Sequence, residues 1–176
     1  VITGEYHKDE GDIVFKKDIN IGYVSQHQNI TSELTVYEEL LDSKKDLIEV
    51  EERLREMEEN LKNVSESEMN SYMDKYHSLS ESFEKSGGYT YKSEINGVLN
   101  GLNFNDYKDK KVNTLSGGER TRLMLGKILL CKPELILLDE PTNYLDISSV
   151  EWLENYLLNV NAAVLYVSHD RYFINK

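Results

Sequence analysis

The chain has 176 residues, 32 of them Asp or Glu and 20 Lys or Arg, for a formal net charge of −12. That balance excludes a general polyanion binder, because phosphate affinity comes from clustered Lys and Arg. A single cysteine, Cys131, excludes an internal disulfide framework, and no apolar run approaches the roughly 20 residues that cross a bilayer. The length allows one domain with a core, or a domain with an appendage. Val1 to Asn20 is polar and mixed in charge, unlike a secretory leader. A cytoplasmic protein without membrane insertion is expected.

In chain order, Val1-Ile2-Thr3-Gly4 reads as a helix tail with a glycine cap, and His7 to Asp12 as turn chemistry. Ile13-Val14-Phe15 is a short strand candidate, and Ile21 to Ser25 a second one that ends at Gln26. From Thr35 to Phe83 the character changes. Leu47, Val50, Leu54, Met57 and Leu61 repeat at a 3-4 spacing, as do Met69, Tyr72, Tyr76, Leu79 and Phe83. Each row is a seam along one helix face. Asn63-Val64-Ser65 interrupts them, and Ser65 with Glu68 offers a capping box. Two helices joined by so short a loop fold back as an antiparallel hairpin. A helix of about 26 residues would make it about 40 Å long. Acids heavily outnumber bases between Thr31 and Gly87, a sign that repels phosphate. Lys108, Lys110, Lys111, Arg120 and Arg122 form a separate basic cluster.

The most informative stretch runs from Leu115 to Asp146. Ser116 stands at an N-cap position with Glu119 three residues on, a capping box that opens a helix. Gly117 and Gly118 lack Cβ atoms, so an anion could approach their N–H groups closely. Leu123, Ile128 and Leu129 mark the helix's apolar face, and Lys132-Pro133 ends it. Leu135 to Leu138 is continuously apolar, as suits a strand buried on both faces of a parallel sheet. Asp139 and Glu140 follow at its C-terminal end, where open α/β sheets place ligands. One carboxylate can hold Mg²⁺ and the next can orient a water, a division that suits phosphoryl transfer. Ser148 and Glu151 suggest another capping box, before a helix with Val150, Leu153, Tyr156 and Leu157 on one face. Trp152 reads as packing. Ala162 to Val167 is a second buried strand, ending at Ser168-His169. Three strands therefore each finish in a group suited to Mg·ATP: Gln26, Asp139-Glu140 and His169.

These residues carry a resemblance. LSGGE (Leu115 to Glu119) resembles the signature of ATP-binding-cassette (ABC) ATPases, LILLDEP (Leu135 to Pro141) their Walker B strand, and Asn143 to Asp146 their D-loop. Gln26 is similar to the Q-loop glutamine and His169 to the H-loop histidine. The length from Gln26 to Leu115, the Gly87-Gly88 return helix with Ile95, Val98, Leu99 and Leu102, and the wording SHDRYF resemble the first cassette of the ABC-F family. Tyr144 departs from the histidine commonest there. The resemblance implies an α/β fold: a partial P-loop NTPase (ABC cassette) core formed by residues 1–34 and 105–176. Residues 35–104 would be an inserted antiparallel helical-hairpin arm.

It implies ATP and Mg²⁺ as cofactors. Glu140 would be the general base, His169 a γ-phosphate contact, and Gln26 and Asp139 the Mg²⁺ ligands, directly or through water. Ser116, Gly117, Gly118 and Glu119 would clamp nucleotide held by a second cassette, and Asp146 would couple the two sites. No G-x-x-x-x-G-K-[ST] loop occurs in the chain, so a fragment cut after Walker A, inactive alone, is expected. The resemblance further implies a soluble ATPase acting on the ribosome, as a translation factor or an antibiotic-resistance member. An ATP-binding subunit of a membrane transporter is the alternative. A chromosome-maintenance ATPase would need a far longer coiled coil.

Overall fold

A computed structural model describes residues 2, 7, 9–24 and 30–169. The expected helix tail at Val1 to Gly4 lies, except for Ile2, outside them. Three parallel strands form one sheet in the order β1 (Ile21–Val24), β2 (Leu135–Asp139), β3 (Ala163–Val167). The registers align the strand ends: Val24 lies opposite Leu138, and Asp139 opposite Val167. Six α-helices are described: α1 (Val36–Asp42), α2 (Lys45–Asn60), α3 (Met69–Lys85), α4 (Tyr91–Gly101), α5 (Gly117–Leu130) and α6 (Ile147–Asn159). The first five lie between β1 and β2, and α6 makes the crossover from β2 to β3. The fold is α/β, with an antiparallel helical hairpin, α2 and α3, inserted in its first crossover.

Central β2 buries Ile136, Leu137 and Leu138, as its unbroken apolar sequence requires. One cluster of buried side chains joins it to the helices: Val36 and Leu40 of α1, Ile95, Val98 and Leu99 of α4, Leu123 and Leu129 of α5, and Leu153 of α6. Phe104, fully buried just after α4, carries the Arg122 guanidinium over its ring, 4.7 Å from the centroid. Trp152 is a packing residue. Its indole lies on Gly101, where an added Cβ would fall 2.0 Å from Cε2.

Two half-buried lysines fasten the hairpin root to α5. Lys127 pairs with Glu39 of α1. Lys44, between α1 and α2, donates to the Leu130 carbonyl at 2.6 Å and pairs with Glu94 at 3.3 Å. Lys132 reaches the same Glu94 at 2.6 Å.

Several sequence expectations are corrected. The hairpin helices have 16 and 17 residues, so they run about 25 Å rather than 40 Å. A turn at Ser43-Lys44 separates α1 from α2. Its Ser43 hydroxyl bonds back to the Leu40 carbonyl at 2.6 Å, a local bond that competes with helix continuation. Ser65 and Glu68 do bond to each other, but in a turn: α3 starts at Met69 with no side-chain cap. Ile13-Val14-Phe15 is not a strand; all three residues are exposed, and no described strand pairs with them. The α6 cap is Asp146, which accepts from the Ser149 N–H at 2.8 Å, two residues before the expected Ser148. Finally, β3 is half-buried on one face only: Val164 and Tyr166 pack against the core, whereas Ala163, Leu165 and Val167 are exposed because no described element covers their face.

Candidate functional site

The parallel register brings the end of β2 beside the end of β3. Glu140 leaves β2 with φ of 49°, in the left-handed region that costs a non-glycine residue energy. Its N–H donates to the Val167 carbonyl at 2.9 Å, so the bend is held by the neighbouring strand. The bend turns the carboxylate towards His169. The His169 N–H donates to Glu140 Oε2 at 3.2 Å, and the imidazole Nε2 lies 3.5 Å from Oε1. The Glu140 side chain is 9% exposed, while that of His169 is 96% exposed. Buried Oε1 makes no hydrogen bond among the described residues. An acceptor left bare in this way is costly unless it meets a donor such as an ordered water. Asp139, half-buried, borders an open depression of about 350 Å³ lined by Tyr23, Leu137, Leu165 and Val167. Gln26 lies outside the described residues.

The second group of expected residues sits at the start of α5. The capping box there is complete. Ser116 Oγ accepts from the Glu119 N–H at 3.3 Å, and Glu119 Oε2 accepts from the Ser116 N–H at 2.7 Å. The Ser116 hydroxyl first, then its backbone N–H, hold the Glu119 carboxyl below the usual carboxylate range, with Lys110 adding at 3.5 Å. Gly117 is uncovered, and Gly118 lies beneath the ring of Tyr144.

Asp146 closes the segment that follows Glu140 and caps α6. It accepts from the Ser149 N–H (2.8 Å), the Asn103 amide (3.0 Å) and the Ser148 hydroxyl (2.8 Å). The backbone donor first, then Asn103 and Ser148, hold it ionised far below its ordinary value. Its described partners all come from its own chain. Asn103 was missed by sequence reasoning, although its signal is legible. An Asn directly after the apolar end of a helix suits the left-handed closing position, and its φ is 55°. Tyr144, noted only as a departure from the commonest histidine, proves to be a packing partner of the α5 N-terminus.

The donor set fits a magnesium ion that arrives with a substrate. Among the described residues no cluster of three acids or histidines could form a complete protein cage. Mg²⁺ commonly takes only one or two carboxylates, with phosphates and water completing the shell. Asp139 would supply such a carboxylate, and the bare Glu140 oxygen is an acceptor that an ordered water would satisfy.

The ABC transporter family profile matches residues 1–143. The chain is 49% identical over 177 residues to the YdiF protein of Bacillus subtilis, covering 100% of this chain and 28% of that protein. It is 34% identical over 178 residues to the tylosin resistance ATP-binding protein TlrC of Streptomyces fradiae, covering 100% and 32%. It is 34% identical over 166 residues to the energy-dependent translational throttle protein EttA of Escherichia coli, covering 94% and 30%. Among solved structures, an archaeal ribosome recycling factor, aABCE1, in complex with the stalk protein aP1, aligns with a TM-score of 0.62 at 25% identity. That alignment covers 98% of this chain and 26% of the other. The chain thus spans about a third or less of the length of these relatives.

Proposed function

This chain belongs to the ABC transporter family, and we propose that it is part of an ABC-F-type ATPase whose cycle times a step of translation. The observation that carries the reading is the pairing of buried Glu140 with exposed His169 at the rim where β2 and β3 end. In this reading Asp139 and Gln26 hold Mg²⁺, directly or through water. When bound, the ion would offset the charge that develops in phosphoryl transfer. Glu140 orients the attacking water and accepts its proton. His169 contacts the γ-phosphate from the solvent side. Ser116 to Glu119 is the signature that closes on ATP held by a second cassette, with the uncovered Gly117 facing it. Asp146 contributes by fixing the turn between the two groups.

The assignment to translation is supported by the names of the relatives, a translational throttle, a drug-resistance ATPase and a ribosome recycling factor. The inserted hairpin adds to it. We divide the chain into an ATPase core, residues 1–34 and 105–176, and an inserted segment, residues 35–104, whose hairpin α2 and α3 is the arm proper, while α1, α4 and Phe104 pack into the core's buried cluster. The arm's acidic surface suits a protein partner or a local basic spot rather than bare RNA.

The test is Glu140→Gln in the natural protein that carries these residues. Turnover should fall by roughly 10²–10⁴-fold, the usual contribution of a general base, while ATP remains bound. Near-normal turnover would remove the role. The 176 residues alone, with no phosphate-cradling G-x-x-x-x-G-K-[ST] loop among them, should hydrolyse no ATP.

A further inference from the structure

The segment from Glu140 to Asp146 is a short staple between the end of β2 and the start of α6. The Asn143 N–H donates to the Glu140 carbonyl at 3.2 Å and the Leu145 N–H to that of Thr142 at 3.1 Å. Pro141 is buried. At the far end Asp146 is held by three donors. One side chain of this staple, Tyr144, bears on the N-terminus of α5. A Cβ built on Gly118 would fall 2.7 Å from Tyr144 Cδ1, 3.2 Å from Cγ and 3.4 Å from Cβ. Only glycine fits beneath that ring. An added Cβ at Gly117 would meet nothing within 4 Å. Tyr144 is 50% exposed, so the packed face of its ring is the one towards Gly118.

We propose that Tyr144 is a positioning residue that ties the backbone of Glu140 to the signature N–H groups through its ring on Gly118. The inference rests on the ATPase reading above. In that reading Glu140 serves the ATP bound on its own cassette, whereas Ser116 to Glu119 serve the ATP of the partner cassette. A rigid contact between them makes the two sites of a closed pair move as one. Misplacing catalytic groups by about 1 Å can cost up to about 10²-fold in rate. The contact is made by ring carbons, so the hydroxyl is dispensable.

The experiment is a double-variant cycle in the natural protein, reading kcat, the ATP affinity of the resting state, and the unfolding midpoint. Tyr144→Phe should match the parent. Tyr144→Ala should lower kcat per titrated ATP-binding site about tenfold with resting ATP affinity within about twofold, whereas loss of folding would lower the number of sites and leave the turnover of each unchanged. Gly118→Ala should also lower kcat, because its methyl collides with the ring. Adding Tyr144→Ala removes that collision, so the double variant should be no slower than the slower single one. Multiplicative losses, or parental kcat in Tyr144→Ala, would overturn the proposal even if the alanine variant lost stability, because the cycle reads the contact itself. The two readings fail separately. Intact turnover in Glu140→Gln defeats the ATPase assignment, whereas lost turnover there with independent Tyr144 and Gly118 effects defeats only the tie.

Discussion

The hairpin and the sheet-centred core are held together by different means. In the core, Phe104, Ile95, Leu123, Leu129, Ile136 and Leu153 are fully buried within one connected cluster. In the hairpin, buried residues are confined to Leu54 and, near the root, Phe83. Much of its grip is polar and near the surface. The Tyr72 hydroxyl donates to the Met57 carbonyl at 2.9 Å, and the Tyr76 hydroxyl to Glu58 at 2.6 Å. Arg55 and Lys92 converge on Glu51 at 2.6 and 3.1 Å. Burial of apolar area is insensitive to salt, whereas exposed pairs contribute about 1 kcal/mol or less and are screened. One chain therefore carries a unit that must stay rigid and a unit that opens at lower cost.

The strongest test of that contrast is Phe104→Ala. Emptying a fully buried aromatic site should cost about 3–5 kcal/mol and lower protection throughout the core; denaturant melts and amide exchange would register both. A loss confined to the residues around position 104 would break the comparison. Next is Phe83→Ala, in the hairpin. Phe83 packs edge-on against Tyr89, with ring centroids 5.2 Å apart, and against Gly88. Its removal should cost about 3 kcal/mol, the low end for a buried phenylalanine, read as faster exchange in α2 and α3 with β2 unchanged. Equal acceleration in β2 would mean that the two regions unfold together.

The smallest expected effect concerns acid. The Tyr91 hydroxyl first, then Lys92 and Arg55, hold the Glu51 carboxyl below its ordinary value. A carboxylate lowered on folding adds stability above its unfolded pKa of about 4.3, and that stability is lost as pH falls through the folded value. Exchange in α2 should therefore rise below about pH 4. Glu51→Gln should cost about 1 kcal/mol at neutral pH and flatten that acid limb. An unchanged limb would assign the acid sensitivity to another carboxylate.

Much of the architecture was legible because its signals are local. The continuous apolar run at Leu135 to Leu138 could only be a strand covered on both sides, and Ser116 with Glu119 marked the start of α5 to the residue. Where the reading failed, local signals were ambiguous. Apolar periodicity does not register a turn made without Gly or Pro, so the break at Ser43-Lys44 passed unseen and the hairpin came out too long. Asp146 and Ser148 are both competent caps; the Asn103 amide, brought in from α4's end, helps to hold Asp146 in that role. Burial of β3 was misjudged because Ala162 to Val167 reads as apolar throughout, while exposure depends on what packs against each face. At the rim, the strand-end positions of Asp139, Glu140 and His169 could be read from the chain. The left-handed bend at Glu140 and the ring of Tyr144 on Gly118 could not, because they are properties of the assembled backbone.

Lys44 has a mechanical consequence. It sits at the root of a lever about 25 Å long and grips the last carbonyl of α5, with Glu94 and Lys132 completing the clasp. Force applied at the distal loop, around residues 61–68, is delivered through this clasp to one end of α5, and Ser116 caps the other end. Because the Lys44 ammonium is nearly shielded from solvent while Lys132 is exposed, the inner half of the clasp holds where an exposed joint would slip.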